Sequence, residues 1–85
     1  MYQISGNAEI FKWLERETDS NRRLVMLDWL VEFVREPLKT AQRVPGILAP
    51  VYITIVPLPG IPAVVRFLVA DQFNTLVVKK IVPLP

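Results

Sequence analysis

The chain divides in two by the rhythm of its apolar positions. Up to Arg43, apolar residues recur at helical spacing among many charges. From Val44 to Val65 no charge appears, and Pro45, Pro50, Pro57, Pro59 and Pro62 interrupt the run. An apolar stretch of that length raises the question of a membrane-spanning helix. Each proline removes a backbone N–H and clashes with the preceding turn, at roughly 3 kcal/mol apiece inside a helix. The second half therefore reads as three extended segments, 51–56, 63–70 and 75–82. All are rich in β-branched and aromatic residues, and turn formers separate them.

The first half predicts two helices. Asn7 is placed to cap one over about residues 8–17, with Ile10 and Leu14 on its apolar side and Phe11 and Trp13 flanking. After the polar break Thr18-Asp-Ser-Asn21, Ser20 is placed to cap a second helix over about 20–36. There Leu24, Leu27, Val31 and Val34 fall at i, i+3, i+7 and i+10, one stripe of a 3.6-residue period. Met26, Leu30 and Phe33 widen that stripe, and Asp28, Glu32, Arg35 and Lys39 form a solvated one. The apolar stripe is expected to face a sheet, so that Leu27→Ala or Val31→Ala would cost about 2–4 kcal/mol. Trp13 and Trp29 read as core. Pro37 pushes Glu36 out of the α region and ends the helix. Tyr2 to Ser5 alternates and reads as a short edge strand. The expectation is one α+β domain over residues 1–85, ordered β-α-α-β-β-β, with two N-terminal helices packed on one face of an antiparallel sheet.

Composition narrows the chemistry. The 85 residues hold no cysteine and no histidine, which removes disulfides, thiolate metal sites, the commonest general base and the commonest metal ligand. Neither a metal nor a cofactor is expected. The net charge of +2 is too small to argue for nucleic acid by itself. Residues 1–43 carry seven acidic and seven basic side chains, whereas residues 44–85 carry only Arg66, Asp71, Lys79 and Lys80. The apolar half thus presents a sheet surface that its own helices or a partner chain must cover. Met1-Tyr-Gln-Ile-Ser-Gly6 has neither the basic nor the apolar region of a signal peptide, so a cytoplasmic location without membrane association is expected.

Those few charges are the candidate chemistry. Asp71-Gln-Phe-Asn74 reads as the turn between the last two strands. If Ala70 pairs with Thr75, Arg66 faces Lys79, and a one-residue slip substitutes Lys80. Two cations opposite one another are destabilising unless an anion lies between them. A phosphate would serve, held by the arginine fork and a lysine point charge. The alternative is that both side chains lie near the rim and snorkel to water. Tyr52 either stacks on a base or lends its hydroxyl to an anion site, or is a strand aromatic with a polar tip. Arg43, before Val44-Pro-Gly46, would add to a basic rim or be solvated.

Several phrases resemble the RelE/ParE family of bacterial toxins, small single-domain proteins with this order of elements. Leu30-Val-Glu-Phe-Val-Arg-Glu-Pro37 is similar to the family's second helix ending at a proline, and Arg43-Val-Pro-Gly46 to its basic loop. Val51-Tyr-Ile-Thr-Ile55 resembles the strand that carries a tyrosine, and Val65-Arg-Phe-Leu-Val69 the strand whose arginine binds phosphate. Asp71 through Val78 is similar to the acidic turn and last apolar strand. The likeness spans about residues 2–82. It implies the toxin of a toxin–antitoxin module, partnered by a cognate antitoxin. Growth inhibition would come from ribosome-associated, metal-independent mRNA cleavage or from binding a target such as gyrase. Arg66, Lys79 and Tyr52 would be catalytic, and Arg43, Arg66, Lys79 and Lys80 would bind nucleic acid or another anion. The chain departs from the ribonuclease pattern by placing Ile53 and Ile55 where Lys or Arg alternate, Val65 for the tyrosine before the arginine, and Ile81-Val-Pro-Leu-Pro85 at the basic end. Without histidine, acid–base chemistry would rest on Arg66, one or two lysines and Tyr52. The competing reading is a non-catalytic interaction or dimerisation domain of the same fold, able to form a homo-oligomer. A generic RNA binder fits less well, because basic residues are few and not interleaved with aromatics.

Overall fold

The computed structural model describes residues 1–5 and 7–85, with the side chains of Asn7 and Ala8 outside that description. Strand β1 (Gln3–Ser5) precedes helices α1 (Asn7–Arg16) and α2 (Ser20–Arg35). Strands β2 (Gln42–Arg43), β3 (Val51–Val56), β4 (Ala63–Ala70) and β5 (Thr75–Pro83) follow. They form one five-stranded sheet in the order β1-β5-β4-β3-β2. The chain is thus α+β with two helices, as its rhythm predicts, and β2 is an addition. The sheet is mixed rather than antiparallel, because β1 runs parallel to β5, with Gln3 opposite Thr75. A parallel pair needs a long crossover, and here the rest of the domain provides it. Tyr2 N–H donates to the Val34 carbonyl and Gln3 N–H to the Asn74 carbonyl, which anchors this edge strand at both sides.

Proline and glycine set the turns. Gly46 and Gly60 adopt φ of +77° and +82°, a region open to glycine and strained for other residues. Asn74, at φ +52°, fills the same role in the β4–β5 turn, and its side-chain amide donates to the Met1 carbonyl at 2.7 Å. The second helix is capped by Asp19 rather than Ser20. The Asp19 carboxylate accepts from Asn21 N–H at 2.9 Å and Arg22 N–H at 3.2 Å, and Ser20 is already helical. The expected cap of α1 at Asn7 concerns a side chain outside the described residues.

The helices cover one face of the sheet. Tyr52, Thr54, Val56, Ala63, Val65, Phe67, Val69, Leu76 and Val78 share that face by alternation, and all but Tyr52 are buried. Phe67 is central, edge-on to Phe33 of α2 at 4.8 Å and stacked on Tyr52 at 5.8 Å. Thr54 is the buried polar residue of this layer, and its hydroxyl meets that of Thr40 at 3.0 Å.

Helix α2 presents a different side to the sheet from the one its heptad-like stripe suggests. Met26 and Phe33 are buried, and Val25, Trp29 and Leu30 pack against the core. Leu24, Leu27 and Val31 are 60%, 45% and 55% exposed. The helix is apolar nearly all round, so two stripes compete. Met26, Trp29, Leu30 and Phe33, at i, i+3, i+4 and i+7, carry the larger side chains, bury more apolar area and win. A truncation cost of 2–4 kcal/mol therefore does not apply to Leu27 or Val31.

Arg22, at the start of α2, fastens the β3–β4 loop. Its guanidinium pairs with Glu17 and donates to the carbonyls of Pro59 and Ile61, the latter at 2.8 Å. The hydrogen bond from Arg22 holds the Glu17 carboxyl below its ordinary range.

Candidate functional site

Among the described residues no helix covers the other face of the sheet. Alternation places Ile53 and Ile55 of β3, Val64, Arg66 and Leu68 of β4, and Val77 and Val82 of β5 on this side. Ile53, Ile55 and Arg66 are exposed, and Val64, Leu68, Val77 and Val82 are half-buried. At the β2 edge the face dips into a groove of about 410 Å³ lined by Thr40, Gln42, Ile53, Ile55, Val64 and Leu84, among others.

A β-bulge decides where the lysines go. Ala70 pairs with Thr75, as the turn predicts, and the ladder runs regularly to Phe67 opposite Val78. The register then shifts, so that Arg66 faces Lys80, Val65 faces Ile81, and Lys79 is the extra residue. Of the two partners expected for Arg66, Lys79 in the unbroken register and Lys80 after a one-residue slip, the bulge selects Lys80. The cause is parity. An unbroken ladder would set Lys80 opposite Val65 on the helix-covered face and turn Ile81 to the open one. The bulge spares the core an unpaired ammonium, which would be costly to bury, and returns Ile81 to the apolar layer. Both lysines are exposed.

Arg66 and Lys80 thus lie opposite each other on the open face, with Lys79 beside them in the bulge. Among the described residues none of the three has a carboxylate within 4 Å. The one acidic residue of the strand half, Asp71, lies in the β4–β5 turn and accepts from the Tyr2 hydroxyl at 3.0 Å. That hydrogen bond raises the Tyr2 phenol above its ordinary value, with desolvation and the Asp71 charge adding to it. The opposed cations weaken β4–β5 pairing locally, and an anion held between them would remove that cost.

The remaining expected site residues are not brought together with these three. Tyr52 pairs with Phe67 across the strands and shares its face, on the helix side of the sheet. Arg43 pairs with Tyr52 on edge strand β2, and its guanidinium donates to the Leu48 and Ala49 carbonyls at 3.1 and 3.5 Å. It braces the 44–50 loop. An arrangement that joins Tyr52 and Arg66 around one scissile phosphate would have to reach through the sheet. Sequence reasoning missed Arg22, whose role depends on loop carbonyls that only the fold brings near, and passed over Asp19, which stands beside Ser20 in the polar break and caps a helix equally well.

Among the described residues no three potential metal ligands cluster, and no helix is long and apolar enough to cross a membrane. The chain matches no protein-family model, no curated protein and no solved structure.

Proposed function

We propose that this chain works by binding, as the growth-inhibiting toxin of a RelE/ParE-like two-gene module, and that its working surface is the open sheet face. The observation that carries the reading is the opposed Arg66–Lys80 pair, with Lys79 in the adjoining bulge, set among exposed and half-buried aliphatic side chains and, among the described residues, without a carboxylate within 4 Å. Such a surface suits an acidic protein target better than a nucleic acid. A polyanion rewards many cations and stacking aromatics, and this face offers three cations among isoleucine, valine and leucine. Cleavage is the weaker form of the reading, since Tyr52 lies on the other side of the sheet and no general base flanks Arg66. A target protein of the gyrase type, and an antitoxin that masks the same face, fit the chemistry.

The test is induced expression in a bacterial host with and without the adjacent gene, for the parent chain and for Arg66→Ala. Growth arrest by the parent, relief by the neighbouring gene, intact cellular mRNA and harmlessness of a folded Arg66→Ala variant are expected. Full toxicity of that variant would remove Arg66 from the site. Specific mRNA fragmentation that needs Arg66 would replace binding by cleavage. No growth effect from the parent would leave the interaction-domain reading in its place.

A further inference from the structure

Helix α2 carries a second unpartnered surface, on the side of the molecule away from the open sheet face. Leu24 and Val31 stand mostly in solvent and Leu27 is nearly half exposed, so these leucine and valine side chains contribute little to this domain's core. With Val34 they keep a strict 3-4-3 spacing, the pattern of the a and d positions of a heptad. At roughly 100° per residue the stripe lies on the side of the helix away from Met26 and Phe33. Its two borders differ in charge. Arg23 lies on one flank, and Asp28 and Arg35 lie on the other, in the positions a heptad assigns to g and e. Among the described residues neither Arg23 nor Asp28 has an ion-pair partner within 4 Å.

We propose that this face joins two copies of the chain through parallel, in-register packing of α2 against its twin. The borders select both the occupant and its direction. In a parallel pair a g residue meets the e residue five positions on in the other helix, so Arg23 of each copy meets Asp28 of the other. The same rule lays the Arg35 stem against Leu30. All four stripe residues then face their own counterparts across the two-fold axis. An antiparallel pair loses this match. In the register that sets Leu24 against Val34 and Leu27 against Val31, Asp28 faces Asp28. The open sheet face suits a second copy poorly by the same reasoning, because a two-fold contact there would crowd Arg66, Lys79 and Lys80 against their equivalents. The inference does not depend on the function proposed for that face.

Sedimentation equilibrium on the full chain tests it. The expected result is a reversible dimer whose dissociation constant rises by about tenfold or more on Leu27→Glu, since a carboxylate would be buried against its equivalent. Circular dichroism checks that this solvent-facing substitution leaves the monomer folded. Direction is tested by charge exchange: Arg23→Glu weakens the dimer and Arg23→Glu with Asp28→Arg restores it. The absence of cysteine allows a second measurement that is free of background. A single Leu27→Cys brings two thiols together at the axis of a parallel pair and should cross-link on mild oxidation. A monomer at every concentration overturns the proposal, as does a dimer indifferent to Leu27→Glu but broken by Arg66→Glu. Failure of Leu27→Cys to cross-link an otherwise intact dimer overturns the parallel arrangement.

Discussion

Phe67 and Leu27 are both large apolar residues in regular elements, and the structure sets opposite prices on them. Phe67→Ala removes a ring from the middle of the central strand, where it has no solvent exposure and touches Phe33 and Tyr52. The lost transfer energy, the residual cavity and two aromatic contacts together put the cost at about 3–5 kcal/mol. At roughly 0.05–0.15 kcal/mol per residue, a domain of this size holds only about 4–13 kcal/mol in total. Leu27 is 45% exposed, so little more than half of its side chain is out of water. Its truncation forfeits about 0.5–1 kcal/mol, and water fills the space without leaving a cavity. Urea melts of both variants measure the contrast, at a chain concentration low enough to keep the protein monomeric, because self-association through α2 would add a concentration-dependent term. The expected difference is at least about 2 kcal/mol with unchanged m-values for Leu27→Ala. A Leu27→Ala loss as large as that of Phe67→Ala would refute the orientation of α2 and return its heptad stripe to the core.

The Glu17–Arg22 pair predicts part of the acid response. A carboxyl held low in the folded state contributes stability that is present above its ordinary unfolded value and is lost as pH falls through the lowered folded value. Melts of Glu17→Gln across that acidic window should be flatter than those of the parent chain, and parallel curves would count against the pair. Deleting Lys79 should leave the domain folded with a melting temperature close to the parent's. The deletion turns the bulge into a regular ladder with Arg66 still opposite Lys80 and Val65 opposite Ile81, whereas deleting Leu68 would invert part of a central strand and should abolish folding. Unfolding of the Lys79 deletion would show that the extra residue is needed for the twist of β5.

The broad architecture was legible because it follows from steric rules. The prolines between Val44 and Val65 exclude a helix wherever they occur, and the Ala70–Thr75 turn follows from the Asp and Asn beside it. The helix limits also come within a residue of the prediction, set by Pro37 on one side and the polar break on the other. The orientation of α2 was not legible. Periodicity locates an apolar stripe but does not rank two stripes on one helix, and the choice went to whichever set filled the space above Phe67. The bulge was hidden for a related reason. A ladder extended from the turn conserves parity only while no residue is extra, and the signal lay in the doublet Lys79-Lys80, which an unbroken strand would have to send to both faces. Tyr52 could be placed on β3, but its side of the sheet depends on register with β4, which the sequence leaves open by one residue. The parallel pairing of β1 depends on where the chain's end returns, and three residues carry too little pattern to show it.

The two unpartnered surfaces also constrain one another. Arg66 and Lys80 are opposed on the face without helices, and Leu24, Leu27 and Val31 project from the helices on the other. Each departs from what folding alone would favour: like charges across a ladder weaken it, and aliphatic side chains in water gain nothing from the core. A partner on one surface leaves the other free, because the thickness of the sheet and helix layer separates them. In a dimer closed through α2, the helices form the middle of the assembly and the two open sheet faces look outward in opposite directions. One assembly would then present two equivalent cationic faces. A target that is itself two-fold symmetric could be held only if it spans the dimer, since neither face can turn toward the other. Otherwise two separate targets are bound, and the gain from pairing lies in local concentration rather than in simultaneous contact. Substitutions on the helix stripe should therefore alter the number of targets held per assembly while leaving the affinity of each face for its target unchanged.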